Sequence, residues 1–204
     1  MNKKNPFLLI SPGNINNTFI IKILLFTMTA TTSFYCNGTP ISWDELRSPT
    51  LLLRRDPEMT AHYMAHREQL FARGKTPEQV ILMDIFGMSE QNAATYNDKK
   101  SKETFKLVLN RFPYWLEKNI AHLLVFSNKS NWHKEHLTAA SKQLLSEQLP
   151  QVLNKQRYEV FIHVNAPSDR TVKKLGHAHI FIRDNGQPLQ IHNLVKKVPS
   201  SKPE

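Results

Sequence analysis

A single cysteine, Cys36, stands in a chain of 204 residues, so neither an intrachain disulfide framework nor a cysteine-based zinc site can be built. That scarcity suits a reducing compartment, and a lone thiol near the N-terminus reads as incidental rather than catalytic. Long apolar runs are also missing. The run from Phe19 to Phe26 is interrupted by Lys22 and is too short to span a bilayer as a helix, so no stable membrane span is expected. No internal repeat, RNA-binding motif or zinc-finger spacing is present, and no motif identifies a cofactor. Carboxylates are scarce: 17 Asp and Glu stand against 27 Lys and Arg, for a formal charge of +10 and a pI near 9.7. Such a balance suits an anionic partner. The cations are scattered rather than gathered into a stripe, however, which leaves nucleic acid the weaker partner reading and a small molecule the stronger.

What is present is the make-up of one globular domain, 40% hydrophobic and 22% charged. Three parts are expected: residues 1–40 as a leader or disordered extension, 41–195 as a single α+β domain, and 196–204 as a disordered tail. In the first part Lys3 and Lys4 precede apolar segments, as in a secretory leader. Lys22 and the lack of a small-x-small cleavage site favour an extension upstream of a working start at Met28. Cytoplasmic residence is the expectation that follows, with export as the alternative.

Helix grammar fills the region up to residue 110. Ser42-Trp43-Asp44-Glu45 reads as a capping box opening a short helix. Asp56-Pro57-Glu58 opens a longer helix that Gly74 stops, and Thr76-Pro77-Glu78-Gln79 opens another that Gly87 stops. Thr104 to Leu109 is read with this helical region. Strands follow at Ile120–Phe126, Arg157–Asn165 and His177–Asp184, with a helix from His136 to Asn154, bent at Pro150, inserted between the first two. Asn185-Gly186 is a hairpin signal, so Gln187 to Leu194 should return antiparallel as an edge strand. The expected architecture is N-terminal helices packed on a small antiparallel sheet of about four strands with one inserted helix.

Each of the first three strands carries histidine. Alternation puts His177, His179 and Phe181 on one face and Ala178, Ile180 and Ile182 on the other. The hairpin register would set His192 opposite His179, with His163, Asn165 and His122 from neighbouring strands lining the same side. Neutral imidazoles at such a place can act as bases, nucleophiles or metal ligands. A metal gains some support from His62 and His66, one turn apart, while His133 and His136 read as solvated. No metal ligand is assigned.

Several of these segments resemble the fungal N-acetylglucosamine-induced protein family, a widespread domain of unknown function. The resemblance runs through Trp43-Asp44-Glu45-Leu46, Leu53-Arg54-Arg55, Tyr63, Asn110-Arg111-Phe112-Pro113-Tyr114 and His122 to Phe126. It ends on Asn165-Ala166-Pro167, Arg170-Thr171-Val172 and His177 to Arg183, covering roughly residues 41–184. Arg111 departs from it, standing where an acidic residue is usual. A fainter similarity is to the histidine-triad nucleotide hydrolases and transferases, echoed by His122-Leu123-Leu124-Val125, Asn165, Thr171-Val172 and His177-x-His179, with Phe181 in place of the third histidine. That similarity implies His179 as nucleophile and His177 as its orienting partner. Asn165 would bond the substrate, and Arg170 or Arg183 would hold phosphate.

Three functional classes follow: an enzyme acting on a phosphorylated small molecule, a non-enzymatic module binding an amino sugar, nucleotide or metal, and a basic interaction protein.

Overall fold

The computed structural model describes residues 38–50, 53–130, 133–166, 170, 172–186, 188–196 and 198. The expectations for the segment before residue 38, with Cys36 and Met28, and for the tail beyond 198 lie outside these residues, as do Pro167, Asp169 and Thr171.

Four helices lead, and their starts follow the capping chemistry in the sequence. Ser42 accepts the Glu45 amide at 3.2 Å and opens α1, Trp43–Leu46. The reciprocal half of the expected capping box does not form, because the Glu45 carboxylate pairs with Arg54 instead. Asp56 accepts the Met59 amide at 2.8 Å to open α2, Pro57–Ala72, with proline in the first turn. Thr76 and Gln79 form a full capping box on α3, Pro77–Asp84. Gly74 and Gly87 follow α2 and α3 with φ of 65° and 69°, a conformation that glycine adopts without steric cost. The short α4, Glu90–Ala94, completes the group.

Then come β1 (Phe105–Leu109), β2 (Ile120–Ser127), α5 (Lys134–Gln148), β3 (Tyr158–His163), β4 (His177–Asp184) and α6 (Pro188–Val195). The sheet is antiparallel throughout, in the order β1-β2-β4-β3. The α+β class and the count of four strands are as expected, but two elements differ. Phe105–Leu109 is an edge strand rather than helix: Leu107 pairs with Val125, and Asn128 clamps its start by accepting from the Thr104 amide at 2.9 Å. The expected return strand at 187–194 is helix α6. β4 is already flanked on both sides, by β2 and β3, so no edge is open for a further strand. Asp184 accepts the Gly186 amide at 2.8 Å and the chain turns away, with Pro188 at the first helical position. The inserted helix stops at Pro150, where a short 3-10 turn, Pro150–Leu153, takes over.

One face of the sheet is aliphatic. Ala121, Leu123, Val125, Ala178, Ile180 and Ile182 pack against Leu137 and Leu145 of α5, Val152, and Val195 and Val198. Ser141, buried in the same helix face, donates to the Leu137 carbonyl at 2.6 Å and leaves no unpaired hydroxyl. Leu123 sits at the centre of this layer, fully buried between Leu109 and Ile180. Leu123→Ala should cost about 2–5 kcal/mol by urea denaturation, and a loss below about 1 kcal/mol would contradict this packing. On the other face Ile41, Trp43, Leu46, Ile120 and Phe181 form a second cluster under α1.

Candidate functional site

The pleat sets the chemistry of that second face. Register places His122 opposite Phe181, His179 between Leu124 and His163, and His177 opposite Phe126. His122, His177 and His179 are each buried, at 3, 5 and 5% exposure.

His122 and His179 belong to one hydrogen-bonded chain whose direction is fixed by backbone, and His177 stands outside it. The Phe112 amide donates to Asn110 Oδ1 at 3.0 Å, which orients that side chain with Nδ2 toward His122 Nδ1 at 3.1 Å. The Tyr114 amide donates to the same Nδ1 at 3.3 Å. His122 Nδ1 is therefore an acceptor, and its proton sits on Nε2, 3.0 Å from His179 Nδ1. His179 in turn carries its proton on Nε2, which lies 3.1 Å from Asn165 Nδ2, while Asn165 Oδ1 lies 2.9 Å from His163 Nε2. Two donors would meet at the first of these contacts. The Asn165 amide is accordingly turned over, its oxygen accepting from His179 and its NH2 donating to His163. Tyr114 stacks on His122 at 4.9 Å between centroids, and Phe181 covers His122 at 4.5 Å.

Burial keeps the imidazoles uncharged. It pushes His122 down to about 3, with the nearby Arg55 charge acting in the same direction. His177 is pushed down to about 4, chiefly by burial; the Leu175 carbonyl works against the shift and Arg170 with it. His179 lies well below its ordinary value through burial, then through His122, His177, His163 and Arg55. At neutral pH all three are neutral rings.

Between this face and helices α2 and α3 lies a cavity of about 210 Å³. His177, His179, Leu124 and Phe126 form its floor, and Tyr63, Arg67, Leu70, Val80 and Asp84 line the helix side. Arg55, Asn110, Arg111, Phe112 and Tyr114 line one flank, with Asn165 and Val172 also contributing. Both ring nitrogens of His179 are engaged within the chain, so no lone pair of His179 is left for a ligand. His177 differs. Its Nδ1 lies 3.5 Å from the Leu175 carbonyl, and no hydrogen bond to its Nε2 is formed among the described residues.

The structure thus brings His122, His163, Asn165, His177 and His179 together, with His122 behind His179 rather than in the cavity wall. Arg170 donates twice to the Asn165 carbonyl, at 3.1 Å each, and is engaged there. Arg183 is not brought to the cavity: it pairs with Glu159 and lies over the Trp43 ring at 5.0 Å. His192 is a correction, since α6 carries it away from His179 and it is exposed, 2.8 Å from the Lys118 carbonyl. Of the helical pair, His62 is exposed beside Glu58, while His66 packs against Phe112 and lines the cavity. Among the described residues no group of three or more His, Cys, Asp or Glu could hold a metal ion, and no helix is long and apolar enough to cross a membrane.

Sequence reasoning missed the roles of Asn110 and Tyr114 in fixing the tautomers, and of Arg55, Arg67 and Arg111 around the cavity. The segment Asn110–Tyr114 drew notice as part of a resemblance, which marked the place without its chemistry.

No curated protein matches the chain. A solved structure titled "Crystal Structure of HTC1" is similar in fold, with a TM-score of 0.52 and 20% identity, covering 79% of this chain and 99% of that one. Residues 44–183, the stretch that contains the cavity and the histidine chain, match the family model described as "Protein of unknown function (DUF3605)", and the chain belongs to that family.

Proposed function

We propose that the cavity over the histidine face binds a phosphorylated small molecule, a nucleotide or sugar phosphate. The observation that carries this reading is a cavity whose floor holds the uncharged, buried imidazoles of His177 and His179 while its rim holds arginines. Burying three imidazoles without charge is a standing desolvation arrangement that an apolar core would not require. The volume, about 210 Å³, falls below the roughly 300–1,000 Å³ of drug-sized sites and favours a sugar phosphate over the bulkier nucleotide. His177 presents its Nε2 lone pair to a ligand hydroxyl or amine, and His179 positions Asn165 beside it. Any proton transfer at this site runs through His177 and not through His179, whose lone pair is spent on His122.

A thermal-shift panel of sugar phosphates and nucleoside monophosphates tests the reading, because a ligand bound only by the native state raises its apparent stability. At least one phosphorylated member should raise Tm by several degrees at millimolar concentration, and His177→Gln should abolish the rise. A panel without any response, or a response unchanged by His177→Gln, would overturn the reading.

A further inference from the structure

We infer that the ligand's charged end is a phosphomonoester held by Arg55, Arg67 and Arg111, an inference that rests on the small-molecule reading above. Arg55 is clamped between two rings, its guanidinium 4.4 Å from the Tyr63 centroid and 4.9 Å from that of Tyr114. Its Nε donates to the Phe112 carbonyl at 3.0 Å, so the fork is fixed in place and both terminal nitrogens lack partners among the described residues. Arg67 lies 5.8 Å from the Tyr63 ring, and Arg111 lies 5.3 Å from that of Phe112. None of the three forms an ion pair with a carboxylate among the described residues, whereas Arg54, Arg157 and Arg183 all do.

Three arginines therefore line one cavity whose lining holds a single carboxylate, Asp84. A fixed, aromatic-backed fork is pre-organised for bidentate contact with phosphate oxygens. A phosphomonoester is close to a dianion at neutral pH and matches this excess of positive charge. A carboxylate carries one charge. A phosphodiester also carries one, on a backbone that must continue on both sides, which a cavity of about 210 Å³ does not accommodate. The positive charge here is accordingly for a terminal phosphoryl group and not for a nucleic-acid strand.

The test uses the full chain and three variants, Arg67→Met, Arg111→Met and Lys142→Met, the last an exposed lysine on α5. Each is titrated by calorimetry at pH 7.5 with inorganic phosphate, with acetate, and with a single-stranded oligonucleotide. Phosphate should bind at one site, about tenfold or more weakly in each arginine variant and unchanged in Lys142→Met. Acetate should bind at least about tenfold more weakly than phosphate. Phosphate binding that the arginine variants leave intact, or oligonucleotide binding that is tighter and lost in those variants, overturns the inference. If inorganic phosphate fails to bind while sugar phosphates or nucleoside monophosphates still raise Tm through His177, the three-arginine assignment falls and the pocket reading stands. If nothing raises Tm, the pocket reading falls with it.

Discussion

Lowering the pH from 7 to 5 is expected to remove about 4 kcal/mol of stability through His122 and His177, about 2 kcal/mol each, with His179 acting in the same direction. The sign follows from linkage. Folding holds these rings neutral, with His122 pushed down to about 3, His177 to about 4 and His179 well below its ordinary value. In the unfolded chain each titrates near 6.5. Between those values the unfolded state binds protons that the native state refuses. Stability is therefore complete above pH 6.5 and is lost as pH falls, at about 1.4 kcal/mol per pH unit for each ring. The loss flattens as His177 and then His122 begin to titrate in the folded protein. The paired carboxylates Glu45, Asp98 and Glu159 enter below this window: Arg54, Ser130 and Arg183 hold them below the usual range, and the stability this contributes is lost as pH falls below the ordinary carboxylate values of the unfolded chain. Small domains have a total stability of about 5–15 kcal/mol, so this effect removes a large fraction of it by pH 5. Urea denaturation at pH 7, 6 and 5 measures it. A midpoint that does not move across that range would contradict neutral burial of the rings.

Replacing His122 by phenylalanine separates packing from hydrogen bonding. A phenyl ring keeps the stack with Tyr114 and Phe181. It removes the acceptor used by the Tyr114 amide and Asn110 Nδ2, and the donor that His179 Nδ1 receives. A buried polar group left unpaired costs about 1–3 kcal/mol, so His122→Phe should lose about 3–5 kcal/mol at pH 7.5. The deficit should then shrink by about 2 kcal/mol at pH 5, because the variant no longer carries one of the rings that acid penalises. A purely steric role for His122 would give a deficit independent of pH. Paired urea denaturation of variant and parent at the two pH values distinguishes these outcomes.

Much of the local structure was legible because it depends on short-range chemistry. Asp56-Pro57 and Thr76-Pro77 mark helix starts with their own side chains, and strict alternation in His177–Asp184 sets the strand and its two faces. Phe105–Leu109 was misread for a physical reason. Five residues with three consecutive apolar side chains satisfy either period, and pairing with β2, a tertiary contact, decides the matter. The Asn185-Gly186 signal did mark a turn, but a hairpin also needs an open edge, and β3 occupies it. At the site, the strands announced His122, His177 and His179 through their own pattern. Arg55, Arg67 and Arg111 come from the segment before α2, from α2 itself and from the segment after β1, and only the closed fold brings them to one cavity. Arg183 was expected to hold phosphate, but the face it shares with His179 continues past the cavity to Trp43 and Glu159.

The most direct measurement of the central claim is a long-range proton–nitrogen NMR spectrum of the histidine side chains at pH 7, recorded before and after addition of inorganic phosphate. Three buried imidazoles should appear neutral, with His122 and His179 protonated on Nε2 and the unprotonated Nε2 of His177 shifting as phosphate is added. Protonated rings at pH 7, or a His177 signal indifferent to phosphate at saturating concentration, would contradict a neutral histidine floor beneath an anion-binding cavity.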